Sequence, residues 1–133
     1  PSNVELLRRN TDSQWCQVEP CAVRAAAGEQ DIYFGDLFVT GGFVKGERQT
    51  DQVIKVNCVA ANSLASADLV KIDTEGCEVE ILENLDLSKT SVLMLEHHSL
   101  EDAAWIKNFL GSNFDLVHDE TESTVGTEVF VRR

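Results

Sequence analysis

Positive charge is scarce in this chain. Eleven Lys and Arg stand against 23 Asp and Glu, a formal charge of −12, and such a field repels phosphate backbones and anionic lipid surfaces. Neither nucleic acid nor a membrane is an expected partner. Long apolar runs are missing too. None approaches the roughly 20 residues of a membrane span, and no signal-peptide pattern is visible. The four cysteines, Cys16, Cys21, Cys58 and Cys77, lack zinc-site spacing. Cys58 and Cys77 stand in apolar surroundings, where a reduced cysteine behaves as a small hydrophobe. A cytoplasmic, reducing setting is expected. No G-K-[ST] accompanies Gly41, Gly42 and Lys45, so these glycines are not read as a P-loop. Internal repeats and low-complexity segments are absent.

What is present suits one globular domain over residues 1–133, with an ordinary hydrophobic content of 43%. A chain of this length buries about two-thirds of its unfolded surface. The most informative stretch is Leu69-Val70-Lys71-Ile72, which ends in Asp73, Thr74, Glu75 and Gly76. Val79, Ile81, Leu82 and Leu85 follow at helical spacing. A short apolar run that stops at acids and a glycine reads as a buried parallel strand feeding a helix. In open α/β sheets, ligands sit outside the carboxyl ends of the strands. Asp73 and Glu75 therefore stand where chemistry would be done, although Asp73 or Thr74 could equally cap the helix.

Residues Asp68 to Leu82, D-L-V-K-I-D-T-E-G-C-E-V-E-I-L, closely resemble the central motif of FkbM-type methyltransferases, D-L-I-K-I-D-V-E-G followed by A-E-x-E-V-L. Leu93-Met94-Leu95-Glu96-His97-His98 resembles the family's next strand, which ends E-x-H, with Glu96 and His98 at the matching positions. The resemblance implies a Rossmann-like fold, S-adenosylmethionine as cofactor and O-methyl transfer to a small molecule or sugar. It also implies a glycine-rich turn after strand one and a ribose-binding acid ending strand two. The opening residues Pro1 to Asn10 resemble the helix just after strand two. The chain is thus expected to correspond to the C-terminal portion of the domain, without the glycine-rich half of the cofactor pocket. One departure is Asn62, where the family's T-L-D segment carries an acid.

The remaining elements follow from local pattern. Ser2 and Glu5 have capping-box spacing for a helix over about Asn3 to Asn10. Trp15 to Val23 reads as a strand that Pro20 confines to an edge. Gly28 to Gln30 reads as a turn and Asp31 to Phe34 as a short strand. Gly35 to Gln52 reads as a mobile connection of about 18 residues, a length that is usually functional or disordered. Gln52 to Ala60 and Ser91 to His98 read as further strands. Ser99 and Asp102 cap a helix with an apolar stripe of Leu100, Ala103, Ile106, Phe109 and Leu110, which Gly111 ends. Phe114 to Glu120 and Thr127 to Arg132 close as an antiparallel hairpin. The expected class is α/β: a truncated Rossmann-like sheet of parallel strands with helices and that hairpin.

If these strands are neighbours, Asp73 and Glu75 meet Glu96, His97 and His98 at one sheet edge, since adjacent strands lie about 5 Å apart. Methyl transfer to oxygen needs a base or a metal to take the hydroxyl proton, and an in-line approach. The candidate catalytic set is Asp73, Glu75, Glu96 and His98. His98 is the candidate base, Asp73 contacts cofactor or substrate, and the two glutamates orient the histidine or the acceptor. The same groups could ligate a divalent ion, but their spacing is not diagnostic and no metal is expected. His118 is read as a packing residue, and Trp15 and Trp105 as core or interface.

The family's strand order, 3-2-1-4-5-7-6, places strand one beside Val70–Asp73. Without it an apolar edge is exposed, and such an edge templates pairing with another chain. Either the Asp31–Phe34 or Gln52–Val59 region moves in, or two chains pair, so a homo-oligomer is expected. Two functions remain open: a methyltransferase represented by its C-terminal portion, or a non-catalytic oligomeric α/β binding module descended from one.

Overall fold

The computed structural model describes residues 2–11, 14–35, 41–42, 49–120 and 122–133. It is a mixed α/β arrangement of two four-stranded sheets and three helices. Helix α1 (Ser2–Asn10) leads into β1 (Ala22–Arg24), β2 (Gly28–Gly35), β3 (Gly41–Gly42) and β4 (Gln49–Ala60), which ends in a 3-10 turn at Ala61–Ser63. The second half runs β5 (Leu69–Ile72), α2 (Glu78–Asn84), β6 (Val92–His97), α3 (Leu100–Leu110), β7 (Phe114–Asp119) and β8 (Gly126–Arg132).

The first sheet has the order β1-β4-β2-β3 and the second β5-β6-β8-β7. In the second, β5 and β6 are parallel, with Ile72 level with Leu95. Strand β8 then runs antiparallel to both β6 and β7. The parallel pair and the terminal hairpin are as the sequence implied. The strands before them do not extend that sheet: β2 and β4 pair with each other along most of their length. Neither region moves in beside β5, which pairs only with β6 among the described residues.

The core lies where the second sheet meets its helices. Alternation along β6 turns Leu93, Leu95 and His97 to the buried side. Ile72, Ile81, Leu82, Ile106, Leu110, Phe114 and Phe130 complete the cluster, with Ala61 from the 3-10 turn. Helix α2 also ties the two sheets together. Glu80 pairs with Arg24 of β1, with Nη2 to Oε2 at 3.0 Å, and Val23 packs on the same core.

Several sequence expectations are corrected. Of Trp15 to Val23 only Ala22 and Val23 are strand, in β1, because Pro20 offers no ladder N–H and Cys21 N–H donates to the Glu19 carbonyl in a turn. Trp15 is 87% exposed rather than core. Gly28 to Gln30 opens β2 rather than forming a turn. Strand β5 is parallel but not buried, since only Ile72 on it is inside. Of the α3 stripe, Ala103, Ile106 and Leu110 are buried, whereas Leu100 and Phe109 are exposed. His118 is not a packing residue: its side chain is half exposed, and Nε2 lies 3.3 Å from Glu120 Oε1. Most of the Gly35 to Gln52 connection, residues 36–40 and 43–48, lies outside the described residues.

Candidate active site

Because Ile72 pairs with Leu95 in parallel register, the residues that follow them, Asp73 and Glu96, emerge together at the carboxyl edge. His98 stands two residues further along the β6 chain. One ligand atom each from Asp73, Glu96 and His98 lies within 4.8 Å of the others. Glu75 joins the group, with Oε2 3.4 Å from His98 Nε2, and Glu96 Oε1 is 3.8 Å from the same nitrogen. The four sequence-derived candidates therefore gather around one imidazole edge. Two oxygens and a nitrogen at this separation can share a hydroxyl or a divalent ion.

The turn that carries Glu75 is unusual. Glu75 has φ +54° and Gly76 φ +97°, two successive residues in the left-handed half of backbone space, where a side chain on the second would be strained. Neither Asp73 nor Thr74 caps α2: the N-cap is Cys77, without a side-chain hydrogen bond. Asp73 instead accepts from Lys71 Nζ at 2.8 Å. Burial pushes the Cys77 thiol up to about 11, which keeps it protonated and unfit as a nucleophile at neutral pH.

Two carboxylates outside the candidate set matter. Glu78, the first residue of α2, is 1% exposed. It accepts from Thr74 N–H at 2.9 Å, from the Thr74 hydroxyl at 3.1 Å and from Gly76 N–H. Its Oε1 also lies 3.2 Å from His98 Nδ1. The sequence carried a signal for this burial, since Glu78 precedes Ile81 and Leu82 by three and four residues and so shares their helix face.

Glu128 is the other. His97 does not join the site as expected, because strand alternation turns it inward, opposite Gly126 and diagonal to Glu128. Both side chains are fully buried, with His97 Nδ1 2.8 Å from Glu128 Oε1. His97 Nε2 is 3.0 Å from the Ser123 carbonyl. A side chain at Gly126 would meet the His97 ring, its Cβ falling 2.9 Å from Cε1. Burial lowers the His97 pKa, but the Ser123 carbonyl and Glu128 outweigh it and hold the imidazole above its ordinary value. Burial raises the Glu128 carboxyl, against the pull of His97. The Ser123 carbonyl can only accept, so Nε2 carries an N–H, and a further proton is shared between Nδ1 and Glu128.

Grooves lie elsewhere on the molecule. One of about 510 Å³ is lined by Val4, Pro20, Ala22, Ile32, Ile54 and Val56, on the first sheet. Another, of about 390 Å³, lies between α2, α3 and the start of β7. Neither contains Asp73, Glu75, Glu96 or His98; what marks the carboxyl edge is the convergence of these groups. No helix among the described residues is long and apolar enough to cross a membrane.

No curated protein and no solved structure matched the chain. A protein-family comparison matched residues 8–124 to the methyltransferase FkbM domain. That span takes in β1 to β7, the β5–α2 turn and the convergent edge, and by this match the chain belongs to the FkbM methyltransferase domain family.

Proposed function

We propose that this chain forms the acceptor side of an S-adenosylmethionine-dependent O-methyltransferase, with β5 to β8 as the C-terminal half of a Rossmann-like sheet. The observation that carries the reading is the convergence of Asp73, Glu96 and His98 within 4.8 Å at the carboxyl edge of a parallel strand pair. In this reading a hydroxyl of a small molecule or sugar sits against that edge. His98 Nε2 takes the hydroxyl proton as general base, and Glu75 and Glu96 orient the hydroxyl. Asp73, already tied to Lys71, contacts the acceptor or the cofactor. His98 is the suited base because the other nitrogen at this edge, Lys71 Nζ, is held protonated by its hydrogen bond to Asp73.

The described residues do not by themselves fit S-adenosylmethionine. They include no glycine-rich turn between a first strand and its helix, and no acid ending a second strand of this sheet. The same reading makes the chain a homo-oligomer, with a second copy along the open edge of β5. The four free cysteines support a reducing, cytoplasmic setting.

Calorimetric titration of the 133-residue protein with S-adenosylhomocysteine tests the proposal. Binding in the micromolar range, about −8 kcal/mol, is the supporting outcome, and it requires that a second copy or residues outside the described ones complete the cofactor pocket. An absence of heat at high concentration would overturn the enzymatic reading in favour of an oligomeric binding module that keeps the ancestral edge.

A further inference from the structure

A carboxylate buried as deeply as Glu78 needs partners for every lone pair that water would otherwise serve. Three donors, all from the turn before it, are accounted for: Thr74 N–H, the Thr74 hydroxyl and Gly76 N–H. The remaining polar neighbour is His98 Nδ1, 3.2 Å from Oε1. This nitrogen is itself shut off from solvent, and its approach is off line for a regular hydrogen bond. Such geometry is common at catalytic bases before substrate binds. A bare nitrogen lone pair facing a buried carboxylate would be repulsive, whereas an N–H there is attracted to Oε1. The opposite nitrogen, Nε2, meets Glu75 at 3.4 Å and Glu96 at 3.8 Å, both beyond good hydrogen-bond length, and these carboxylates are 45% and 33% exposed, so water screens them as it cannot screen Glu78.

We infer that Glu78 is a positioning residue that holds His98 as the Nδ1–H tautomer. The Nε2 lone pair is then directed at the Asp73–Glu96 edge. The inference rests on the reading of His98 as the base and supplies what that base needs, a fixed tautomer and ring orientation. A buried acid behind a histidine does the same in hydrolase triads. Glu78 adds a second linkage. The carboxylate that faces His98 also fixes the turn bearing Glu75, so the end of β5 and the residue after β6 are registered on one group.

Long-range ¹⁵N–¹H imidazole spectra of the full chain test this, with the His98 signals assigned by their loss in H98N. The expected result is a neutral ring protonated at Nδ1 in the wild type. In E78Q, whose amide nitrogen disturbs the contact, the Nδ1–H signal is expected to give way to Nε2–H, and E78D is expected to restore part of it. A wild-type ring protonated at Nε2, or an unchanged tautomer in a folded E78Q, overturns the inference. A purely structural Glu78 would lower the melting temperature of E78Q without moving the tautomer. Should E78Q not fold, the wild-type tautomer decides the matter alone. None of these readouts needs S-adenosylhomocysteine binding, so failure of the methyltransferase reading stays separable.

Discussion

At the scale of single residues, the chain separates two adjacent histidines by geometry alone. His97 and His98 are identical in chemistry, yet one faces Glu128 in the core and the other faces Glu75 and Glu96 at the edge. The buried pair has a consequence for stability. Both folded pKa values are raised, His97 by the Ser123 carbonyl and Glu128 against burial, and Glu128 by burial itself. A group whose folded pKa is raised contributes stability below its unfolded value and loses it as pH climbs through the folded value. For His97 the contribution is complete below about pH 6.5 and is lost above it. Glu128 has the same sign at lower pH. Lys107 opposes the charge on His97, and Asp119 raises Glu128 further, so these neighbours set the width of the window. Denaturant unfolding is expected to show stability falling as pH rises above about 6.5. The fall should be largely absent in an H97Q/E128Q double variant. Removing one partner alone is expected to cost about 3 kcal/mol, because the other is left buried and unpaired. An E128Q melt like the wild type's would contradict this account.

At the scale of elements, the sequence was most legible where one face of an element is buried and its end is marked. The β5–α2–β6–α3 run has both signals, with acids and glycine after Ile72 and Ser99 before α3. Ser99 Oγ accepts from Asp102 N–H at 3.0 Å and donates to Asp102 Oδ2 at 2.7 Å. The cap stands immediately after His98, so it fixes the start of α3 and the exit of the site together. S99A is expected to lose about 1 kcal/mol, seen as a fall of about 3 °C in melting temperature for a chain of this size. A variant within error of the wild type would mean the helix is held by Ala103, Ile106 and Leu110 alone. Legibility failed where period-2 alternation was not followed to the strand's last residue. Leu93, Leu95 and His97 share one face, and that count places His97 inside, away from Glu96. It failed again at Trp15 to Val23, where apolar composition suggested a strand but β1 begins only after Pro20. The charge of Glu78 suggests solvent, although its helical spacing from Ile81 and Leu82 places it in the core.

At the scale of the whole molecule, the two outer strands of the second sheet, β5 and β7, have no further partner among the described residues. Strand β7 ends it with only Phe114 buried, and although Val117 there is 60% exposed, Asp115 and Asp119 set acidic groups along that strand. Strand β5 offers its outer edge with Leu69 59% exposed. An unpaired strand beside an exposed apolar side chain is a template for another strand. The −12 charge works against self-association, but its reach shrinks as salt shortens the screening length from about 30 Å at 0.01 M to about 10 Å at 0.1 M. Pairing of two copies along β5 is therefore expected to strengthen with salt, the opposite of an association held by ion pairs. L69K adds a charge at the seam, a device natural sheets use to blunt their edges. Since Leu69 lies outside the core cluster, the fold should lose little. Light scattering of the wild type at 0.5 M salt is expected to give a larger mass than at low salt, and L69K is expected to remain a monomer at both. A wild type that stays monomeric at high protein concentration and high salt would rule out the pairing. The β5 edge would then have to be covered by something other than a second copy of this chain.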